Sequence, residues 1–191
     1  GLVIGNQGKN FCVGANIAMM LMEAQDDNIF ELDMVITQFH KAMLKIKYSS
    51  RPVVAAPFNM TLGGGAEVCL PAAKIQASTE TYMGLVEAGV GLIPGGGGAK
   101  ELYVKTLKSM PKNVEFDLQK VANNVFESIA TAKVSTSGEE ARENNFLNFA
   151  DGISVNPDHL IYEAKQVVLA LAEGGYKAPI REKVPVSGSP G

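Results

Sequence analysis

The chain has 191 residues, of which 46% are hydrophobic and 19% are charged, and its formal net charge is −3. This length is sufficient for one domain with its own core, and the composition excludes disordered and fibrous proteins. The small negative charge, without a long run of Lys or Arg, argues against a surface for nucleic acid or anionic membranes.

Only two cysteines, Cys12 and Cys69, occur in the sequence. Two cysteines in a chain of this length do not form a disulfide framework or a metal-binding cluster, so both are expected to be small buried residues in a reducing compartment. No uninterrupted apolar segment reaches about 18 residues, and no secretory leader opens the chain. We therefore expect a cytoplasmic protein without a metal.

The first half of the sequence alternates strand and helix patterns. Residues 2–4 predict a short strand, and residues 17–23 predict a helix after the loop "GNQGKNFCVGAN". The spacing of apolar residues in "IFELDMVITQFHKAMLKIKY" predicts an amphipathic helix. Further along, "RPVVAAPF" predicts a strand, "GGGAEVCLPAA" a turn leading into a short helix, and "KIQAS" and "TYMGL" two short strands.

Helices dominate the second half. The loop "GLIPGGGG" precedes a helix in "AKELYVKTLKSM", and three more helices are predicted near 114–128, 136–145 and 157–174. This order predicts an α/β protein with a helical C-terminal region. We expect a core in residues 1–110, a helical region of the same domain in 111–180 and a tail in 181–191. Because the chain opens inside an apolar strand, we expect the core to be N-terminally truncated.

Two glutamates stand in apolar, glycine-rich surroundings. Glu67 follows three glycines at a predicted helix start, where bare backbone N–H groups can face a ligand or a developing oxyanion. Glu87 lies in the second such run, "GLVEAGVGLIPGGGG". Such a pair favours acid/base chemistry on a bound substrate. The residues alone leave three alternatives open: Glu67 on a solvated helix face, Glu87 as an exposed strand end, and "PGGGG" as a linker-like turn.

Other candidate residues are weaker. His40 and His159 are expected to be structural or solvated, and Cys12 is expected to serve packing. No serine occupies a G-x-S-x-G elbow, and "GGGGAK" lacks the spacing of a phosphate-binding loop.

Three ordered segments resemble the enoyl-CoA hydratase/isomerase (crotonase) family. They are "GKNFCVGANI", "PVVAAPFNMTLGGGAEVCLPAA" and "YMGLVEAGVGLIPGGGGAKEL". The family patterns read approximately F-x-x-G-A-D-I, A-x-x-G-x-x-x-G-G-G-x-E and F-x-x-P-E-x-x-x-G-x-x-P-G-x-G-G. A later segment, "ATAKVSTSGEEARENNFL", is also similar to the family. The closer resemblance is to the hydratase region of bacterial multifunctional 3-hydroxyacyl-CoA dehydrogenase/enoyl-CoA hydratase proteins of fatty-acid β-oxidation.

The resemblance implies a crotonase (ClpP-like) fold, a spiral of ββα units followed by C-terminal helices that mediate trimer formation in the family. It implies hydration of an acyl-CoA thioester, with Glu67 and Glu87 as catalytic residues and Glu87 as proton donor to the α carbon. The oxyanion hole would be formed by the backbone N–H groups of Ala15 and Gly64. No cofactor is expected in this chain, because NAD would belong to a dehydrogenase part elsewhere in the parent protein. Expected partners are copies of the chain in a homo-oligomer or the rest of a multifunctional chain.

Two positions depart from the family pattern, since Asn16 stands where Asp is usual and Val86 where Pro is frequent. In the family, an N-terminal hairpin and a loop that holds the CoA adenine precede the first strand seen here, so we expect this chain alone to bind CoA weakly. Two alternatives remain open: a Δ3,Δ2-enoyl-CoA isomerase, and a noncatalytic crotonase-like scaffold for oligomerisation.

Overall fold

The computed structural model describes residues 1–111 and 115–188. The strands are β1 (Leu2–Ile4), β2 (Val53–Ala55), β3 (Asn59–Leu62), β4 (Lys74–Ser78), β5 (Thr81–Gly84) and β6 (Gly152–Ser154). The α-helices are α1 (Ile17–Gln25), α2 (Ile29–Lys47), α3 (Gly64–Cys69), α4 (Gly98–Ser109), α5 (Leu118–Ala130), α6 (Gly138–Glu143) and α7 (Leu160–Glu173). Two short 3-10 helices span Glu87–Val90 and Pro157–His159.

The strands form two parallel layers. The first layer has the order β1-β2-β4-β6, and the second pairs β3 with β5. A parallel bridge between Cys12 and Thr61 extends the second layer on the side of β3. Strands β2 and β4 are each followed by a second-layer strand and then by a helical segment. The chain therefore winds as a spiral of ββα units, which confirms the predicted α/β architecture.

The core lies between the two strand layers and under the helices. Strand β2 is completely buried, as expected for a central parallel strand covered on both faces. On one face it packs against α7, whose Leu160, Ala164 and Val168 are buried at a four-residue spacing along one side of the helix. The larger cluster lies on the other face and includes Ile75, Met83, Leu85, Leu102, Phe146 and Leu147.

A buried ion pair ties the second half of the chain to the sheet. Lys105 on α4 donates to Asp151 Oδ2 at 3.0 Å and to the carbonyl of Phe146 at 2.7 Å. Asp151 also accepts the N–H of Ile75, the second residue of β4, at 2.9 Å. Because Asp151 directly precedes β6, this network positions the last strand against β4.

Two strands and one helix start differ from the sequence predictions. Strands β3 and β6 were not predicted: β3 opens at a residue with positive φ, Asn59 (46°), and β6 has three residues, too few to show alternation. Helix α5 begins at Leu118, because the side chain of Asp117 caps it by accepting the N–H of Gln119 at 2.9 Å. Residues 112–114, where this helix was predicted to begin, lie outside the described residues.

The predicted tail touches the body of the domain. Residues 181–188 have no regular secondary structure, and the last three residues of the predicted tail lie outside the described part. Tyr103 donates its hydroxyl to the carbonyl of Pro185 at 3.0 Å, and the Arg181 guanidinium lies 5.3 Å from the centre of the Tyr48 ring. These contacts attach the segment to α4 and to the end of α2.

The predicted amphipathic helix forms as α2, but most of its apolar face is exposed. Met43 is its one buried residue, and Phe30 is 77% exposed. Helix α1 has no buried residue and contacts α2. The two helices therefore form a hairpin, and α2 contacts the rest of the domain through residues such as Phe39, near Gly64 and Gly96, and Lys47, which pairs with Glu101. Within 1–111 and 115–188, no helix combines the length and apolar character needed to cross a membrane.

Candidate active site

Three segments that sequence analysis singled out meet at one edge of the second strand layer. Leu62 at the end of β3 donates its N–H to the carbonyl of Cys12 at 2.9 Å, and Gly63 donates to the carbonyl of Gly84 at the end of β5, also at 2.9 Å. Parallel strands present their carboxyl ends at the same edge of a sheet, where α/β proteins place their ligand sites. The chain therefore brings the loops that carry Ala15, Gly64 and Glu87 together.

The backbone segments that carry the N–H groups of Ala15 and Gly64 approach each other at this edge. Gly14, directly before Ala15, has φ of 99°, and a Cβ atom placed on it would lie 3.7 Å from the Gly64 nitrogen. In the described part of the chain, no protein acceptor takes the N–H of Ala15 or the N–H of Gly64. This pair of free donors is suited to an oxyanion, since such an anion is stabilised by fixed N–H groups.

Glu67 is buried rather than solvated. Its residue is only 3% exposed, and its Oε1 accepts the N–H groups of Gly96 and Gly98, each at 2.8 Å. Burial raises the pKa of the Glu67 carboxyl, while the N–H groups of the loop and the nearby His40 act in the opposite direction. The alternative of a solvated helix face is therefore wrong for Glu67.

The four-glycine loop before α4 wraps closely around this carboxylate. A Cβ atom placed on Gly96 would lie 2.7 Å from Glu67 Oε2 and 2.3 Å from Cε1 of Phe39. A Cβ atom on Gly98 would lie 2.9 Å from Glu67 Cγ. Only glycine allows the backbone to approach this closely. The linker-like interpretation of "PGGGG" is therefore wrong, and sequence reasoning missed that this loop holds Glu67.

Glu87 begins a 3-10 helix just after β5 and is partly buried, so it is not an exposed strand end. Its Oε1 would lie 3.3 Å from a Cβ atom on Gly63, and its Oε2 is buried without a hydrogen-bond partner among the described residues. Burial raises the pKa of the Glu87 carboxyl; its own backbone N–H opposes this, and the charge of Glu67 raises the pKa further. Such a carboxyl group holds a proton at higher pH than usual, which suits a proton donor.

Asn16, which departs from the family pattern, has a structural role here. Its side chain caps α1 by accepting the N–H of Met19 at 3.3 Å. Val86 has φ of −104°, well away from the value that proline fixes, so the backbone before Glu87 differs from that of a proline-containing relative.

The cysteines and His159 lie in packing or surface positions. Cys12 is partly buried and packs against the core, Cys69 is buried, and neither is in a disulfide. His159 ends an exposed 3-10 helix before α7. Among residues 1–111 and 115–188, no group of three or more His, Cys, Asp or Glu side chains could hold a metal ion.

A sequence model described as enoyl-CoA hydratase/isomerase matches residues 2–110, more than half of the chain. The chain belongs to the enoyl-CoA hydratase/isomerase family. The match includes Ala15, Gly64, Glu67 and Glu87, so the edge described above lies entirely within the part that defines the family.

Relatives and solved structures agree with this assignment. All 191 residues align at 62% identity with 24% of a "Probable 3-hydroxyacyl-CoA dehydrogenase" of Bacillus subtilis (strain 168). A "Fatty acid oxidation complex subunit alpha" of Shewanella frigidimarina is 26% identical over 94% of this chain and 28% of its own length. The chain thus spans about a quarter of these relatives.

An enoyl-CoA hydratase structure from Bacillus anthracis superposes with a TM-score of 0.69 at 22% identity, covering 90% of this chain and 58% of that one. The family member described here therefore has the crotonase fold.

Proposed function

We propose that this crotonase-fold region adds water to a 2-trans-enoyl-CoA and gives the 3-hydroxyacyl-CoA. The observation that carries the proposal is that two carboxyl groups with raised pKa values, one buried and one partly buried, lie at the same strand edge as two free N–H donors. Hydration requires a proton donor and a group that holds water, so a pair of carboxyl groups fits this reaction better than one would.

The N–H groups of Ala15 and Gly64 would bind the thioester carbonyl oxygen. Addition of water to a C=C bond conjugated with this carbonyl builds enolate charge on the oxygen. Fixed N–H donors stabilise this charge without reorganising, and the loss of one such donor costs about 3 kcal/mol of transition-state stabilisation.

The two glutamates would divide the proton chemistry. Glu67, held by two backbone N–H groups, would accept a proton from the water whose oxygen bonds to the β carbon. Glu87 would transfer its proton to the α carbon on the same face, so that the addition is syn. One proton enters the carboxyl pair and one leaves it, and a proton exchange between the two groups or with solvent restores the starting state.

The relatives suggest where this product goes. The Bacillus subtilis relative is named for 3-hydroxyacyl-CoA dehydrogenation, and the product of hydration is a 3-hydroxyacyl-CoA. We infer that this region supplies the substrate of a dehydrogenase step in the full-length protein. Use of NAD would belong to that step and to residues outside this chain. Trimer formation through the C-terminal helices stays a prediction.

The test uses the full-length protein carrying Glu67→Gln or Glu87→Gln, with crotonyl-CoA as substrate. Loss of the enoyl-thioester absorbance measures hydration. Each variant is expected to be slower by about 10²- to 10⁴-fold, because each removes a group that moves a proton in the transition state. Glu80→Gln, at an exposed glutamate before β5, is the matched control and should keep the wild-type rate.

Three outcomes would contradict hydration. Near-wild-type rates in both glutamine variants would remove the glutamates from the mechanism. Conversion of a 3-enoyl-CoA by the wild-type protein, without hydration of crotonyl-CoA, would favour the Δ3,Δ2-isomerase. Inactivity of the full-length protein toward both substrates would favour the noncatalytic scaffold.

A further inference from the structure

His40, on helix α2, lies against the loop that holds Glu67. Its Nε2 would be 3.1 Å and its Cδ2 3.4 Å from a Cβ atom placed on Gly97. Gly97 has φ of 101° and stands between the two glycines whose N–H groups bind Glu67 Oε1. The imidazole thus contacts the residue between the two glycines that donate hydrogen bonds to the carboxylate.

The neighbours of His40 on α2 fix this contact. The Phe39 ring would lie 3.6 Å from a Cβ atom on Gly64, and it also borders Gly96. Two turns further along, Lys47 Nζ lies 2.5 Å from Glu101 Oε2 on α4. Helix α2 is therefore attached to both ends of the glycine loop, and His40 lies between these two attachments.

Several other charged groups lie on the elements that pack around His40. Among them are Glu67 on α3, Glu87 on the 3-10 helix, Lys100 and Glu101 on α4, and Lys47 on α2 itself. Both lysines contact Glu101, at 2.5 and 2.9 Å. The nearby His40 favours the charged form of Glu67.

We propose that His40 is a positioning residue for Glu67: its imidazole packs against Gly97 and supports the Gly96–Gly98 loop, whose N–H groups bind the carboxylate. This rests on the proposed function, in which Glu67 accepts a proton from water. This support should matter most on the acidic side of the activity profile, where ionisation of Glu67 is incomplete because burial raises its pKa.

The test compares His40→Gln and His40→Arg in the full-length protein, with His159→Gln as the control on the other histidine. Crotonyl-CoA hydration is measured between pH 5 and 9. His40→Gln should lower kcat by about two- to five-fold at the acidic end of this range, where ionisation of Glu67 is incomplete, with KM unchanged and little loss at the alkaline end. The acidic limb of the profile should move to higher pH, because the neutral side chain no longer favours ionised Glu67. His40→Arg should keep the limb at or below its wild-type position.

Two results would overturn the proposal. An acidic limb that does not move in His40→Gln removes any electrostatic coupling to Glu67. An equal fall of kcat at all pH values in both variants reduces His40 to packing alone.

A readout without catalysis separates this proposal from the proposed function. The carboxyl stretching band of Glu67, assigned by its disappearance in Glu67→Gln, can be followed by infrared spectroscopy across the same pH range. A shift of its titration to higher pH in His40→Gln supports the coupling even if the wild-type protein does not hydrate crotonyl-CoA. An unchanged titration overturns it even if hydration is confirmed.

Discussion

Buried carboxyl groups occur in two kinds of surroundings in this molecule. At the candidate site, Glu67 is held by backbone N–H groups, and Glu87 Oε2 has no hydrogen-bond partner among the described residues. Away from it, Glu101 and Asp151 each contact a lysine, at 2.5 and 3.0 Å. Among the described residues, no lysine or arginine forms a salt bridge with the first pair, whereas lysines neutralise the second pair.

The difference has opposite electrostatic consequences. Burial opposes ionisation of Glu101, but Lys47 and Lys100 outweigh it and hold the pKa of that carboxyl below its usual range. At Glu67 and Glu87 burial prevails, and both pKa values are raised. Ion-paired carboxylates stabilise a structure but exchange protons poorly at neutral pH. Carboxyl groups with raised pKa values stabilise the structure less but exchange protons more readily. Carboxyl groups that pair with a lysine thus suit a structural role, and those without a lysine suit proton exchange.

The largest expected effect comes from breaking a neutralised pair. Asp151→Ala leaves the Lys105 ammonium buried without its partner and removes the acceptor of the Ile75 N–H. The free energy of unfolding should fall by about 3–5 kcal/mol, measured by chemical denaturation of the protein.

Lys105→Met combined with Asp151→Leu should cost less than the sum of the two single changes, because no unpaired charge remains. A loss below about 1 kcal/mol in Asp151→Ala would show that the pair is not structural, and the contrast between the two regions would fail.

The next largest effect is expected in the four-glycine loop, whose N–H groups bind Glu67 where lysines bind the carboxylates elsewhere. In Gly96→Ala the new methyl group would meet Phe39 and Glu67 Oε2, so the loop and the carboxylate must separate. We expect hydration to fall by about 10²-fold, since displacing a catalytic group by about 1 Å has a cost of that size.

Gly95→Ala is the matched control in the same loop. Its Cβ atom would meet only Ile36 Cγ2, at 3.7 Å, an ordinary contact, and the activity should stay near that of the wild type. Equal activities in the two variants would show that the loop does not position Glu67.

The smallest effect concerns stability at Glu87. Burial raises its pKa, so the folded protein binds this proton more tightly than the unfolded chain, and stability falls as pH rises through the titration of the folded state. Glu87→Gln removes the ionisation. At pH 8 the variant should be more stable than wild type by about 1 kcal/mol, the cost of a buried acceptor without a partner.

Below about pH 4 the carboxyl of Glu87 is protonated in both states, so the advantage of the variant should disappear. Thermal unfolding at pH 4 and pH 8 measures it. An identical difference at the two pH values, or a less stable variant at pH 8, would mean that the carboxylate is not strained by its surroundings.

The elements that sequence could predict are those with a local signal. Helix α2 has a clear apolar spacing, β1 and β2 are apolar runs bounded by turn residues, and β4, "KIQAS", alternates polar and apolar residues. Strand β3 was missed because its sequence, "NMTL", is polar at one end and starts in a backbone conformation that the pattern does not show. The exposure of the apolar face of α2 could not be predicted, since an apolar stripe does not specify whether another part of the molecule covers it.

At the candidate site, the residues could be selected from the sequence, whereas the contacts between them are seen only in the structure. Glu67, Glu87, Ala15 and Gly64 could be selected from glycine-rich surroundings and from the family resemblance, and their catalytic roles stay predictions. The hydrogen bonds from Gly96 and Gly98 to Glu67 join residues about thirty positions apart, and the contact of His40 with Gly97 spans still more of the chain. Such pairings follow from tertiary packing and have no local signature.

The parallel stacking of Cys12, β3 and β5 also determines where the chain can change length. These segments are aligned by backbone hydrogen bonds between successive turns of the spiral, such as the bond from Gly63 to Gly84. The α1–α2 hairpin lies between β1 and β2 in the chain. Its length therefore does not affect the backbone pairing of these segments. Insertions at the tip of that hairpin would leave the glutamates and the N–H donors in place, whereas a single residue added within β3 would shift its pairing with β5 by one residue and turn the shifted side chains to the opposite face.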